Sequence, residues 1–263
     1  MRVCCTETGA CLFSTKGHTH GVSTVSFSPD SLRALSGSWD GTVCLWCLET
    51  GALLRALTGH GNRVTSTNFS SDGKRIVTAA HDGTAKLWVS ESGVCLRTLY
   101  KARAQDRSSI LAAAFFSEGG VTFVSKSYRE ATAVVWRTES ESGALRSARL
   151  RHSSWGYVTA ASFSTDGETL LTGSSDGAAE LWCTKTAACL CVMPWNGDER
   201  SRGCPIMRSV ALSPDGDRAL VGMANGIVRV WSMSVAGEEE EKQSLCVLTL
   251  ECGSSTEATA HEA

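Results

Sequence analysis

The stretch from Gly17 to Trp46, GHTHGVSTVSFSPDSLRALSGSWDGTVCLW, decides the fold, because it returns as GHGNRVTSTNFSSDGKRIVTAAHDGTAKLW from Gly59 to Trp88. In each copy a Val follows the His by four residues and a Phe by nine. An Asp lies 22 residues after the His, and a Trp six after the Asp. Self-similarity at a period of roughly 40 residues marks stacked supersecondary units, none of which buries its apolar face alone. Within the first copy and its flank, alternation and the Pro-Asp, Asp-Gly and Thr-Gly turns predict four short antiparallel strands: VSTVSFS, RALSGS, TVCLWC and ALLRAL.

The unit recurs three more times with less fidelity. Residues 107–150 keep the strands and Trp136 but place Arg107 where His is expected and Glu130 where Asp is expected. Residues 152–193 are regular, with two extra residues between His152 and Val158. Residues 203–250 keep the hairpins but carry Asn225 for the Asp, Val221 for the hydroxyl residue, and no His. Trp-to-Trp spacings of 42, 48, 46 and 49 fit one four-stranded unit plus loops of variable length. At the start of the chain, VCCTETGACLF (3–13) aligns with the end of a unit, Cys4 falling where Trp46 sits.

This combination resembles the WD-repeat (WD40-type) family of β-propellers. The residues that carry the resemblance are the Gly-His pair, the FSPD or FSSDG hairpin, the SGSWDG or TAAHDG turn and the closing LW. The Asp that ends the family motif is missing; Cys47, Val89, Arg137, Cys183 and Ser232 follow the five Trp instead. The resemblance implies an all-β fold, a β-propeller of four-stranded antiparallel blades. Five blades are expected near residues 17–57, 59–99, 107–150, 152–193 and 203–250, within a domain of residues 1–252 that also holds an extra N-terminal strand. Residues 253–263 are polar and expected to be a disordered tail.

Most members of the family close with seven blades, so five leave the completeness of the ring open. Two closures compete. Residues 3–13 pair with IVRVW and lock a five-bladed ring, or residues 245–250 supply that strand and leave 3–13 beside the first blade. The local pairing has the smaller loop-closure cost and is favoured. The chain would then be a fragment, or half of a ring completed by a partner.

Three polar sets invite a hydrolase reading: His18, Ser36 and Asp40; His60, Thr78 and Asp82; His152, Thr172 and Asp176. A nucleophile site occurs once, in a cleft. These sets recur, each with a Trp six residues after the Asp: Trp46, Trp88 and Trp182. The resemblance implies a structural tetrad, in which the Asp accepts from the His, the His reaches the hydroxyl, and the hydroxyl meets the indole N–H. Such a chain satisfies polar groups that would otherwise be buried at a cost.

No catalytic residue, metal ligand or cofactor is expected, since no Gly-rich phosphate loop, HExxH or paired-carboxylate motif stands out. Among the 12 Cys, Cys44 and Cys47 form a CxxC, but an offset of three in a strand places them on opposite faces. Cys189 and Cys191 are expected to share a face, without a second ligand pair beside them. MRVCCTETGACLF contains no apolar segment of a secretory signal, so reduced thiols and an intracellular location, cytoplasm or nucleus, are expected. A net charge of −2 argues against a general nucleic-acid or membrane-surface binder, and no run is long enough to span a bilayer.

The resemblance also implies which residues face partners on the top rim. These flank the Val of the inner strand or precede the turn Asp: Gly21, Ser23 and Trp39; Arg63, Thr65 and His81; Ile110, Ala112 and Arg129; Tyr157, Thr159 and Ser175; Ile206, Arg208 and Ala224. Trp39, Tyr157 and the Arg residues have the composition of a protein-binding hot spot. Arg63, Arg129, Arg208 and His81 favour an acidic or phosphorylated peptide. The expected function is a non-catalytic protein-interaction scaffold or adaptor; the alternative is an RNA- or chromatin-associated subunit of a larger complex. Because the second unit carries a whole tetrad and the third does not, Asp82→Ala is expected to lower the urea midpoint of unfolding more than Glu130→Ala; equal losses would count against the tetrad.

Overall fold

The computed structural model describes residues 2–4, 7–101, 109–116, 120–126, 133–138, 145–150, 156–193, 206–213, 216–235 and 242–251. Every regular element among them is a strand. The fold is an all-β propeller of five four-stranded antiparallel blades, each built in chain order from inner to outer strand.

The first blade holds β3 (Val22–Phe27), β4 (Arg33–Ser38), β5 (Val43–Cys47) and β6 (Leu53–Leu57). The second holds β7 (Val64–Phe69), β8 (Arg75–Ala80), β9 (Thr84–Val89) and β10 (Cys95–Lys101). In the third are β11 (Ser109–Phe115), β12 (Val121–Lys126), β13 (Ala133–Thr138) and β14 (Leu145–Leu150). The fourth comprises β15 (Val158–Phe163), β16 (Thr169–Ser174), β17 (Ala179–Cys183) and β18 (Cys189–Met193). The fifth comprises β19 (Met207–Leu212), β20 (Arg218–Met223), β21 (Ile227–Val235) and β22 (Lys242–Glu251). The chain divides into two compact units, residues 1–115 and 116–263, and the division falls after β11.

Local chemistry sets the hairpins. Between the first two strands of four blades, a Ser hydroxyl accepts from a backbone N–H five residues on. The pairs are Arg33 to Ser28 at 2.9 Å, Arg75 to Ser70 at 2.9 Å, Thr169 to Ser164 at 3.0 Å and Arg218 to Ser213 at 2.9 Å. At Asp40-Gly41 the chain needs a left-handed residue, φ +80°, and Gly41 also lies where a Cβ would meet the His60 carbonyl oxygen at 2.8 Å.

Within the first unit, the apolar core joins one blade to the next. Leu35, Val43, Leu45 and Leu57 of the first blade enclose Val64, Ile76 and Trp88 of the second, all at 2% exposure or less. Gly37 is the socket for Val64: a Cβ there would stand 2.6 Å from Val64 Cγ1 and 2.7 Å from Thr24 Cγ2. In the second unit Gly173 plays the same part: a Cβ there would stand 2.9 Å from Val210 Cγ1 and 3.1 Å from Met207 Cβ. Met207 and Val210 complete a core with Leu171, Leu181 and Met193.

Two competing expectations are settled by pairing. β22 lies beside β21, with Trp231 opposite Cys246 and Val228 opposite Leu250, so the local strand fills the outer position of the fifth blade. The N-terminal residues pair with each other instead, as β1 (Arg2–Cys4) and β2 (Cys11–Ser14). The sequence reading expected one orphan strand; the Thr8-Gly9 turn folds it into a hairpin, with Gly9 at φ +69°. The hairpin does lie beside the first blade, since a Cβ on Gly51 would meet the Phe13 ring at 3.1 Å. Residues 253–263 lie outside the described residues, as do Arg107, Glu130, Arg129 and His152.

The socket gives a direct contrast in packing. Gly37→Ala is expected to destabilise by about 1–3 kcal/mol, because the stiff Val64 side chain must move. Gly222→Ala, where the nearest atom to a new Cβ is 3.8 Å away, should change stability little; urea titration of both variants checks this.

Candidate functional site

The first two blades contain the expected tetrads with all four members joined. In the first, His18 Nδ1 lies 3.2 Å from Asp40 Oδ2 and His18 Nε2 lies 2.8 Å from Ser36 Oγ. The Trp46 indole N–H donates to that same Oγ at 2.8 Å. In the second, the corresponding distances are 3.3 Å from His60 to Asp82, 2.7 Å from His60 to Thr78 and 2.8 Å from Trp88 to Thr78. An indole N–H can only donate and an ionised carboxylate can only accept, so the indole gives its proton to the hydroxyl oxygen and Nδ1–H points toward the carboxylate.

Sequence reasoning missed a fifth member. The hydroxyl two residues after the Asp donates to Asp Oδ1 at 2.6 Å in both blades, from Thr42 and from Thr84. It also stands 3.0 Å and 2.8 Å from the His Nδ1 atoms. The signal was visible as Asp-Gly-Thr in both copies. In the fourth blade Ala178 takes this position, and Ser174 Oγ and the Gly156 N–H bind Asp176 instead. Trp182 donates to Thr172 Oγ1 at 2.8 Å there, while His152 lies outside the described residues.

The third blade, which lacks the expected His and Asp, still holds one link of the network. Trp136 donates to Ser125 Oγ at 2.7 Å. The hydroxyl is eleven residues before the Trp rather than ten, because the hairpin is one residue longer. In strand pairing the position is unchanged: it is two residues beyond the residue opposite the Trp, Phe123 here and Ala34 in the first blade. In the fifth blade Ala219 is opposite Trp231 and the hydroxyl position is Val221, as the sequence indicated.

Ser36, Thr78 and Thr172 are all 0% exposed, so these hydroxyls are closed to a substrate and the hydrolase reading of the sets fails on access. Burial pushes the Asp40 and Asp82 carboxyls up, but hydrogen bonds outweigh it. For Asp40 the Thr42 hydroxyl and the Thr42 and Thr19 N–H groups hold the carboxyl well below the usual range. For Asp82 the His60 ring, the Thr84 hydroxyl and the Gly61 and Thr84 N–H groups do the same. Cys44, beside the first tetrad, is pushed up to about 11 by burial and by the Asp40 charge.

The rim positions are organised by two backbone features. One is a hydrogen bond from the residue before the turn to the residue before the inner strand. It links Trp39 to Gly21 at 2.9 Å, His81 to Arg63 at 2.9 Å, Ser175 to Tyr157 at 3.0 Å and Ala224 to Ile206 at 2.9 Å. The other is a β-bulge at Ser23, Thr65, Thr159 and Arg208, where the pairing with the second strand skips one residue. A bulge re-aims its side chain. Ser23 donates to the Val64 carbonyl at 2.5 Å and Thr65 to the Ile110 carbonyl at 2.7 Å, each bracing the next blade. Ser23 stays exposed and Thr65 half-buried while making these bonds.

Ile110 and Ala112 are 0% and 6% exposed and do not face solvent, because the apolar face of β11 packs on the second blade. In the first unit Trp39, Arg63 and His81 come together. Trp39 is 59% exposed, and the Arg63 guanidinium stands over its ring, 5.7 Å from the centroid. Tyr157 and Arg208, in the second unit, are both exposed at their equivalent positions. Arg129 lies outside the described residues.

Among the described residues no group of His, Cys, Asp and Glu could hold a metal ion. Cys44 is buried and Cys47 half-buried on β5, and they and six further Cys (Cys4, Cys11, Cys95, Cys183, Cys189 and Cys191) are free thiols. A bulge in β18 between the partners of Leu181 and Trp182 overturns the shared face expected for Cys189 and Cys191: the first is exposed and the second buried. No helix among the described residues is long and apolar enough to cross a membrane.

The sequence profile described as "WD domain, G-beta repeat" matches residues 9–47, 51–89, 146–183 and 191–232, more than half of the chain. The chain belongs to the WD40-repeat family of β-propellers, a class whose general role is protein interaction. It is similar to a guanine nucleotide-binding protein subunit beta of Oryza sativa subsp. japonica, 30% identical over 129 residues, which are 49% of this chain and 33% of that protein. A subunit of the same name from subsp. indica is 31% identical over 93 residues, 35% of this chain and 24% of that protein. The chain thus spans a third or less of these curated relatives. In three dimensions it resembles the β-propeller domain of Myceliophteria thermophila Cps50 (Swd1), with a TM-score of 0.70 and 19% identity over 90% of this chain and 74% of that one.

The depressed carboxyls fix the sign of a pH dependence. A group whose folded pKa lies below its unfolded value contributes stability that is whole above the unfolded value, about 3.9, and is lost as pH falls toward the folded one. The urea midpoint of the wild type should therefore fall as pH drops below about 4. Asp82→Asn should be less stable than wild type at pH 7 and show a shallower acid loss; an unchanged slope would remove Asp82 from the brace.

Proposed function

We propose that the protein is a non-catalytic adaptor whose rim, at the end of the blades carrying Trp39, Arg63 and His81, binds peptide segments of partner proteins bearing acidic or phosphorylated side chains. The supporting observation is the Trp39–Arg63 pair. A large exposed indole with a guanidinium over its face combines apolar area with a charged donor fork. Trp and Arg are the residue types most often dominant in protein interfaces. The backbone bonds between the two rim positions of a blade hold them at the same end of the sheet, so little ordering is needed on binding.

Tyr157 and Arg208 extend the same composition to the second unit. The rice relatives are subunits by name, which suits a chain that works inside an assembly. A net charge of −2 gives no support to direct nucleic-acid binding.

Replacing Trp39, Arg63 and Tyr157 with Ala together tests this reading. All three lie at the surface end of the blades, so the circular dichroism spectrum and thermal midpoint should be kept. Partner recovery in affinity capture with mass spectrometry should fall more than about tenfold, as expected for loss of hot-spot anchors. Recovery equal to wild type would rule out this rim.

A further inference from the structure

Within the first unit, a cleft of about 480 Å³ opens between the first two blades. Its size is within the range of about 300–1,000 Å³ typical of ligand-receiving pockets. It lies at the start of β4 and the end of β9, the strand ends away from Trp39. One wall comes from β4, β5 and β6 of the first blade. The other comes from two loops of the second blade, Asp72–Lys74 and Val89–Glu91. The Ser90 N–H donates to the Lys74 carbonyl at 2.9 Å and ties these loops together. The second wall is therefore ordered before anything binds.

The apolar lining is Leu45, Leu54 and Val89. Leu45 belongs to the blade core and Val89 is half-buried. Leu54 is 38% exposed, and a bulge in β6 leaves it unpaired, since Trp46 faces Leu53 and Leu45 faces Arg55. A bulge re-aims its side chain. Most of the charge around this lining is already matched. The Arg33 guanidinium donates to Ser90 Oγ at 2.9 Å and to Asp30 Oδ2 at 3.2 Å. Asp72 accepts from the Ser70 hydroxyl and the Lys74 N–H, and Lys74 carries the opposite charge two residues on.

Arg55 and Glu91 differ. Among the described residues neither takes part in an ion pair. The Arg55 guanidinium donates to the Leu54 carbonyl at 2.6 Å. A guanidinium carries five N–H donors, so a fork remains for an oxyanion. Its stem is laid on the second blade: a Cβ on Gly93 would meet Arg55 Cγ and Cδ, each at 3.8 Å. The cleft thus has an unmatched cation on its first-blade wall and an unmatched anion on its second-blade wall.

We propose that this cleft is a docking site, separate from the rim, for an extended segment of a partner protein in which an apolar side chain is flanked by a carboxylate and by a Lys or Arg. The apolar side chain enters among Leu45, Leu54 and Val89. The carboxylate pairs with Arg55 and the cation with Glu91, so each charge left over in the cleft meets its opposite. Leu54, Arg55, Lys74 and Glu91 are all exposed, so the cleft is open to solvent, as a chain passing through it requires. Protein interaction is also the general role of the class.

A phage library of random peptides, panned on the full chain with Trp39, Arg63 and Tyr157 changed to Ala, tests this without the rim. Enriched peptides should share an acidic and a basic residue around a Leu, Ile, Met or Phe. Labelled with fluorescein and followed by anisotropy, they should bind at least about tenfold more weakly when Leu54→Lys is added, through lost apolar burial. Arg55→Glu should weaken them by about tenfold or more, through like-charge repulsion. Both positions are exposed, so the thermal midpoint should stay that of the parent. A peptide whose acidic residue is changed to Lys should regain binding to Arg55→Glu, which a merely structural role of Arg55 would not produce. Enrichment of no such motif, equal binding to Arg55→Glu, or absence of that rescue would overturn the proposal. So would sedimentation of the chain as a dimer that Leu54→Lys dissociates, since the occupant would then be a second copy.

Discussion

A tryptophan that is buried in four blades and half-buried in the third brings one N–H that needs a partner. That requirement organises the sheet around it. Four of the five blades place a hydroxyl at 2.7 or 2.8 Å from the indole nitrogen: Ser36, Thr78, Ser125 and Thr172. The hydroxyl always sits two residues past the one facing the Trp, so a register slip of one residue would turn it to the other face and strand the indole. In the first two blades the demand passes on through a His to an Asp in the next turn. That Asp is ionised in a site where burial alone would favour its neutral form. One satisfied chain thus ties second strand, third strand, the turn between them and the loop before the first strand into a single body.

The same logic acts between blades. Gly37 and Gly173 are small because the next blade's Val64, or Met207 and Val210, occupies the space a side chain would take. Ser23 and Thr65 sit at bulges, which turn their hydroxyls sideways onto the neighbouring inner strand's carbonyls. Toward the opposite ends of the strands, arginines stack on rings of the following blade: Arg33 on Phe69 and Arg75 on Phe115. In the second unit Arg137 forms a fork to Glu168 at 3.1 and 2.9 Å. Junctions are therefore directional: each blade has one face built to cover and another built to be covered.

Much of this was legible in the sequence because it repeats at fixed offsets. His18 to Asp40 and His60 to Asp82 are both 22 residues apart, and the two side chains of each pair stand 3.2 and 3.3 Å apart. What escaped was whatever depends on pairing rather than spacing. Ser125 was passed over because a hairpin one residue longer moves it out of the offset while leaving it in register. The bonds that Ser23 and Thr65 make to the next blade depend on a bulge, which cannot be seen in a string of alternating residues. Cys189 and Cys191 parted for the same reason. The N-terminal hairpin was hidden by its brevity: three residues of β1 leave too little alternation to mark a strand.

The division between bracing and display follows from where the Asp stands. Its carboxylate is fixed by backbone and hydroxyl donors, so the residue just before it is held at the sheet end by a backbone bond whatever its side chain. Trp39, His81, Ser175 and Ala224 occupy that place in four blades and share no chemistry. The residue ahead of the inner strand, Gly21, Arg63, Tyr157 or Ile206, is held by the other end of the same bond. A position held by its main chain, with its side chain excused from packing, can vary in chemistry at little cost to stability. The buried hydroxyl that accepts the indole N–H has no such latitude, and where its position becomes Val221 the His and the Asp of that blade are replaced too.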